Sequence, residues 1–587
     1  MPDQELLGAI RVQVGKLNSE SQDHARIPFD MLIPLPHLDQ PLEKSSKGTI
    51  IRRAAEARFV DIINDAYASQ DSGSAPEVSD EDLSQYLIKL IQSMTGQESE
   101  LSEDMDLFSY GVDSIACMQL RTRLRRLIPS FEGQLPMSVV EDCGTIRRLT
   151  DFVLRRRHGE SDAGEEDESK AMIELVKQYG SFEASQMQTS ASTNRTLVKN
   201  EDAGVIVLTG ATGALGAHIL DLLRQRLDVE AIYCLVRGAN EHAARERVSR
   251  ALEQRGLSSL GSSGVLNDKI KVVPSQLGEE RLGLSDETYN YLAQKATSVI
   301  HIAWTVNFRL KLRSFVKDNI AGVRNLLNLA LAAPRSHPPR FTYCSSTAAI
   351  INAPVDQSNK LPEQLSSDPS SASPLGYSRS KWVAEHICLS AHEKTRLHGR
   401  IAVVRVGQLT GASTSGIWNT KEAWPMMLST ASLIHCLPDL GTEPLDWLPV
   451  DLAAKAFVQT TMTHVENTNM PVYHVLNPHQ EPTWHQMLLW LQKKGKFDIV
   501  SRKEWVQRLE QSENSGHEHS ALKLLGLWKE AYAGGESDGG VNEVYEGPRK
   551  QFDTQETCMR VEALRDVMPL DEDYMGRVWD WIQREVR

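Results

Sequence analysis

A chain of 587 residues is too long for one hydrophobic core, and a net charge of −14 excludes a general nucleic-acid binder, which needs a positive field. Hydrophobic residues make up 41% and charged residues 24%, the balance of a soluble globular protein of about three or four domains. The seven cysteines form no CxxC pair, no signal stretch opens the sequence and no run of about 18 apolar residues occurs, so the expectation is no metal, no membrane and a cytoplasmic location.

Residues 1–66 open without a clear structural start, as expected of a piece cut from a longer chain. Within them PHLDQPLEKSSKGTIIRR places Lys44 and Lys47 in a basic stretch before Gly48. Residues 67–80 are small and polar and read as a linker. In 81–157 the segments LSQYLIKLIQSM, IACMQLRTRLRRLI and TIRRLTDFVLRRR repeat apolar residues every three or four positions, which predicts a small helical bundle. LFSYGVDSI sets Ser114 at the start of the second helix, exposed and preceded by an acid; the bland role for Asp113 or Ser114 is a helix cap. Residues 158–202 hold an acidic run, the helical insert KAMIELVKQYG and a polar tract, a composition expected to form a linker.

From 203 onward, β-branched apolar runs alternate with helical segments: VIVLTG, AIYCLVRG, IKVVPS, SVIHIAW, FTYCSST and IAVVRVG. Runs of that kind suit strands covered on both faces, so a parallel sheet wound by helices is predicted. The first strand runs into Gly210, Thr212, Gly213, Ala214, Leu215 and Gly216, with a helix behind. Glycine allows a tight turn and close approach of backbone N–H groups to a pyrophosphate, and the helix start adds partial positive charge. The strand before and the helix after give the GxxGxxG spacing its weight. The second strand ends in Arg237, which suits a ribose 2′-phosphate better than an acid would and so favours NADP. Arg247 is a second phosphate contact or a solvated helix charge.

After the fifth strand stand Ser345, Ser346 and Thr347, and some thirty residues later Tyr377 and Lys381. A YxxxK pair shares one helix face. The lysine is expected to lower the phenol pKa and to bond the nicotinamide ribose, the tyrosine to give a proton to an oxygen gaining charge, and the preceding hydroxyl to hold that oxygen.

TGATGALG, CLVRG, HIAWTVNF, GYSRSKWVAE, VVRVGQLTG and DWLPVD together resemble the thioester reductase domains that end nonribosomal peptide synthetase-like enzymes and carboxylic acid reductases, of the extended short-chain dehydrogenase/reductase superfamily. Gly416-Ile417-Trp418-Asn419, Glu422 and Trp424-Pro425 resemble the family's pattern after its sixth strand. The resemblance implies catalytic Ser346 (with Ser345 and Thr347 adjacent), Tyr377 and Lys381, and a structural asparagine at Asn319. Pro274-Ser275-Gln276-Leu277 departs from the family's Gly-Asp-Leu, which puts the adenine contact at Gln276 and Leu277 in doubt. LFSYGVDSI resembles the phosphopantetheine site of carrier proteins, implying 4′-phosphopantetheine on Ser114 and a phosphopantetheinyl transferase as partner. The 36–53 stretch resembles the closing motif of adenylation domains, with Lys47 as the lysine that contacts the acyl-adenylate and Lys44 as the weaker candidate.

The implied architecture is multidomain: an adenylation-domain remnant (1–66), a helical-bundle carrier (81–157), a linker (158–202) and a Rossmann-type α/β reductase (203–587). A smaller substrate-binding subdomain is expected at about 410–445 and 478–587. There Trp484, Trp505, Trp528, Tyr545, Trp579 and Trp581 are expected as core, with an aromatic-acid pocket as the alternative. The implied function is NADPH-dependent release of a carrier-tethered acyl thioester as aldehyde or alcohol, fed by an upstream adenylation domain of a secondary-metabolic enzyme. The rivals are a redox-neutral, Dieckmann-type cyclising release and a non-catalytic nucleotide-binding scaffold.

Overall fold

The structure is a computed structural model. It describes isolated positions before residue 78, most of 78–158, residues 165–182, and 204–586 apart from 262–264, 309, 336, 463–468, 515–518 and 533–549. Lys44, Lys47 and Tyr545 lie outside the described residues. The chain divides into two compact units, 1–164 and 165–587.

In the first unit, helices α1 (Leu83–Thr95), α2 (Ser114–Arg126), α3 (Val139–Cys143) and α4 (Ile146–Arg157) enclose one small core. The apolar stripes meet there: Leu83, Leu87 and Ile91 from α1, Leu120 and Leu124 from α2, Ile146, Leu149 and Val153 from α4. The α4 start is capped by Thr145, whose hydroxyl accepts from the Arg148 N–H at 3.4 Å. Before α2 the chain is tied down by buried Leu107, Tyr110 and Val112, with the Val112 N–H donating to the Leu107 carbonyl at 2.9 Å. Ser114 is the first residue of α2.

The second unit is built on a seven-stranded parallel sheet: β1 (Gly204–Thr209), β2 (Val229–Val236), β3 (Ile270–Pro274), β4 (Ser298–His301), β5 (Arg340–Ser346), β6 (Ile401–Val406) and β7 (Val472–Val475). Their order is 3-2-1-4-5-6-7, so the order reverses between β1 and β4 and opens a crevice at the carboxyl ends of those strands. One face is covered by α6 (Ala214–Gln225), α7 (Glu241–Glu253) and α10 (Val450–Met462), and the other by α8 (Ala321–Leu331) and α9 (Gly376–Lys394). All six anticipated strands form. The seventh, β7, has a fully buried histidine in the middle of a four-residue run.

Two expectations about boundaries change. The 158–202 stretch is not linker throughout, because its helical insert forms α5 (Glu165–Tyr179) and packs on α9. Met172 is buried in the same core as α8 and α9, and Arg324 donates to the Tyr179 carbonyl at 3.0 Å while lying over the Phe182 ring at 3.9 Å. The acidic composition masked one apolar stripe. Likewise, the end of the chain is not all subdomain. Val561, Leu564 and Val567 pack into the sheet core beside α10, and Gln551–Phe552 pairs in parallel with Lys360–Leu361. The remainder of the expected subdomain does form its own core, in which Trp484, Trp505, Trp528 and Trp579 are all buried, so these rings are packing and not pocket lining.

If α5 is an integral part of the second unit, Met172→Ala should lower that unit's unfolding free energy by about 2 kcal/mol or more. Denaturant titration of the full chain reads this, and a loss below about 0.5 kcal/mol would return α5 to linker status.

Candidate active site

The β1–α6 connection is shaped for close approach. Gly210 has φ 80°, and a Cβ there would sit 2.7 Å from the Ala303 backbone nitrogen; a Cβ at Gly216 would collide with the Gly210 carbonyl. Gly213 caps α6 without any side-chain bond and is exposed, and Thr212 and Ala214 are half-exposed, whereas Leu215 is buried under the helix. The bare helix start and the side-chain-free turn fit a dinucleotide pyrophosphate. At the neighbouring strand end Arg237 is exposed, and Arg247 reaches back to donate to the Arg237 carbonyl, which brings both guanidinium-bearing residues to one edge of the crevice. The next strand end lies alongside: the Ser275 N–H donates to the Val236 carbonyl at 3.0 Å, and Gln276 is exposed there. Leu277 is half-buried, with its carbonyl held by Asn325 at 2.9 Å.

Across the crevice, β5 ends at Ser346 and α9 begins at Gly376. Of the three hydroxyls, Ser346 is the one that lowers the Tyr377 phenol pKa, and its side chain accepts from the Ala348 N–H at 3.3 Å. Ser345 turns the other way, donating to Glu385 at 2.6 Å. Thr347 starts a short turn. Lys381, one turn past Tyr377, is almost wholly buried; its ammonium donates to the Cys344 carbonyl at 2.6 Å and lies 4.1 Å over the Trp304 ring and 5.8 Å from the Tyr377 ring. Trp304 is in turn fixed by its Nε1–H, which donates to Ser380 at 3.2 Å.

The electrostatics depart from expectation in one respect. Burial pushes the Tyr377 phenol up, Cys344 adds to this, and only the Ser346 hydroxyl pulls it back. The Lys381 ammonium does not outweigh that burial; desolvation also lowers the lysine itself to about 8, with Cys344 and Glu385 opposing that fall. Tyr377 is therefore a neutral phenol at physiological pH, the form that can give up a proton.

Besides Asn319, several residues that sequence reading did not single out hold this arrangement. Thr209 Oγ1 accepts from the Ile302 and Ala303 N–H groups, both at 3.1 Å, so its one hydrogen goes to His301 Nδ1 at 2.8 Å. His301 is thereby a neutral ring carrying its proton on Nε2, and burial and Lys381 drive its pKa down to about 3. Asn319 accepts from the Thr305 N–H at 2.9 Å and so pins the segment after β4. Glu385, one turn past Lys381, forms a fully buried two-pronged pair with Arg405 of β6, at 2.9 and 2.7 Å. Arg405 also donates to the Gln364 carbonyl at 2.9 Å and faces His474 of β7 at 3.3 Å. A charged residue inside an apolar strand, as in IAVVRV, was the available signal for that pair.

Residues 208–457 match the male sterility protein model, a family of NAD-binding domains; residues 85–153 match the phosphopantetheine attachment site model and residues 1–71 the AMP-binding enzyme C-terminal domain. The region that holds the glycine turn, Ser346, Tyr377 and Lys381 is thus similar to the NAD-binding domains of that model. Similar curated proteins include an adenylate-forming reductase of Serpula lacrymans, 26% identical over 91% of this chain and 51% of its own length. A non-canonical non-ribosomal peptide synthetase of Acremonium egyptiacum is 29% identical over 79% of this chain and 43% of its own. The chain thus spans about half the length of these relatives. Among solved structures, the terminal R domain of the myxalamid PKS-NRPS pathway aligns with TM-score 0.56 and 25% identity over 70% of this chain and 98% of that one. A thiolation-reductase di-domain from an archaeal non-ribosomal peptide synthetase aligns with TM-score 0.52 and 18% identity over 87% and 99%, and shows the fold alone. The NAD-binding match supports use of NAD(P)H by that region, and the carrier match supports phosphopantetheine.

The Glu385–Arg405 pair sits in the core of the second unit, and Glu385→Gln would leave a buried guanidinium without its counter-charge. We expect a loss of about 3 kcal/mol in unfolding free energy, largely recovered when Arg405→Leu is combined with Glu385→Leu. A loss below 1 kcal/mol for the single change, read by chemical denaturation, would show that water reaches the pair.

Proposed function

We propose that this chain releases an acyl thioester, carried on phosphopantetheine at Ser114, by NADPH-dependent reduction to the aldehyde, with a second hydride giving the alcohol. The observation that carries the reading is the Tyr377 phenol with Ser346 beside it and the buried Lys381 ammonium 5.8 Å from its ring, across the crevice from a glycine turn fitted to a pyrophosphate. When bound, the reduced nicotinamide supplies hydride to the carbonyl carbon. Gly210, Gly213, Ala214 and Gly216 would receive the pyrophosphate, and Arg237 and Arg247 the 2′-phosphate, with Gln276 and Leu277 at the adenine end.

Tyr377 gives its proton to the carbonyl oxygen as charge builds there, Ser346 fixes the direction of the phenol, and the Lys381 charge offsets the phenolate that forms. Loss of the thiol then leaves the aldehyde. Lys381 must be cationic for this, so the reduction rate should fall as pH rises through about 8. A redox-neutral cyclisation has no use for a proton-donating phenol placed in this way, and a nucleotide-binding scaffold has no use for the whole set. In the complete protein an upstream adenylation domain would form the acyl-adenylate, with Lys47 contributing from the tail, and a phosphopantetheinyl transferase would modify Ser114; the location we expect is cytoplasmic.

The test is a count. The full chain is loaded at Ser114 with an acyl-pantetheine, and the NADPH consumed per acyl group is measured; one equivalent with aldehyde, or two with alcohol, is expected. Arg237→Glu should bring NADH and NADPH to within a few-fold of each other. No oxidation of either coenzyme by the loaded chain would overturn the proposal.

A further inference from the structure

The loop after β4 and the start of α9 meet beside Tyr377, and both turn apolar side chains outward. Phe308 is 56% exposed, yet its ring meets the Tyr377 ring edge-on at 5.2 Å. Val306, two residues earlier, is 69% exposed, and Leu375, two residues before Tyr377, is 40% exposed. The two segments are locked together, because a Cβ on Gly376 would collide with the Leu310–Leu312 backbone. Large apolar side chains left in water next to a reactive phenol mark a binding surface.

The chemistry says which group they face. With the carbonyl oxygen at Tyr377, two substituents of the reacting carbon remain to be housed: the acyl chain and the sulfur with its arm. The pantetheine arm carries an amide two carbons from sulfur and needs hydrogen-bonding partners, whereas Val306, Phe308 and Leu375 offer none through their side chains. Charge narrows the choice further. The three segments around Tyr377, residues 302–315, 344–355 and 372–384, contain no aspartate or glutamate. They do contain the Lys381 ammonium. An ammonium on the carbon next to the carbonyl would lie near the Lys381 cation and against the side chains of Val306, Phe308 and Leu375, which offer it no counter-charge.

We propose that Val306, Phe308 and Leu375 form the wall that holds the acyl group, and that this wall selects uncharged aryl or alkyl acyl groups over α-aminoacyl groups. The inference rests on the reductive-release reading and supplies its substrate class.

Pairs of probes separate the possibilities. 3-Phenylpropionyl and phenylalanyl pantetheine share one shape and differ in the α-ammonium, and acetyl pantetheine barely reaches the wall. Each is offered to the full chain with NADPH, as the thioester for kcat/KM and as the unreactive amide for calorimetric binding. We expect 3-phenylpropionyl to exceed phenylalanyl by at least about tenfold in both readouts. Phe308→Ala should cost 3-phenylpropionyl about tenfold and acetyl less than about twofold, and Phe308→Leu should restore most of that loss.

Equal treatment of the two phenyl probes would overturn the charge argument. Equal losses for 3-phenylpropionyl and acetyl would assign the wall to the arm or to support of Tyr377. Amides that bind in the expected pattern while no thioester is reduced would sink reductive release and leave the wall standing.

Discussion

Lys381 holds a charge that almost no water touches. Its ammonium has the Cys344 carbonyl at 2.6 Å and the face of Trp304 at 4.1 Å to replace its hydration, and this substitution is incomplete, since its pKa falls to about 8. Keeping the charge there requires that neither replacement move. The β5 end that carries Cys344 is tied through Ser345 to Glu385 and so to Arg405, and Trp304 is tied to Ser380 on the catalytic helix itself. Tyr377 and Ser346 stand on the two elements so tied, α9 and β5. The chemistry of one phenol is thus made a property of the sheet core and not of a surface loop, and sites on rigid elements hold their geometry.

Much of this was legible in the chain of letters. Six strand runs, the glycine turn and the YxxxK pair each carry a local pattern that physics makes obligatory: apolar runs for doubly covered strands, glycine where a Cβ has no room, a four-residue spacing for a shared helix face. What sequence left open, the fold decided by direction. The resemblance favoured Ser346 with Ser345 and Thr347 as adjacent alternatives, and strand alternation sends Ser345 toward Glu385 and leaves Ser346 on the side of Tyr377.

The failures share one cause, which is that burial is a tertiary quantity. The expected acidification of Tyr377 weighed a nearby ammonium and omitted desolvation, which prevails. The helix α5 was anticipated but assigned to a linker because acidic residues dominate its surroundings, although Met172 is buried in the core of the second unit. β7 was missed because His474 interrupts a short apolar run; inside the fold that histidine is neutral, bonded at 2.6 Å to the Asp553 carbonyl and facing Arg405. Polar residues with long-range partners look like breaks in a pattern until the partners are seen.

The central claim is that a neutral phenol supplies the proton. Single-turnover release of aldehyde from the loaded full chain, compared between the native chain and Tyr377→Phe at pH 7, tests it most directly. The account predicts a fall of at least about 100-fold with NADPH affinity unchanged within about twofold. An undiminished rate of aldehyde release in the phenylalanine variant would contradict it.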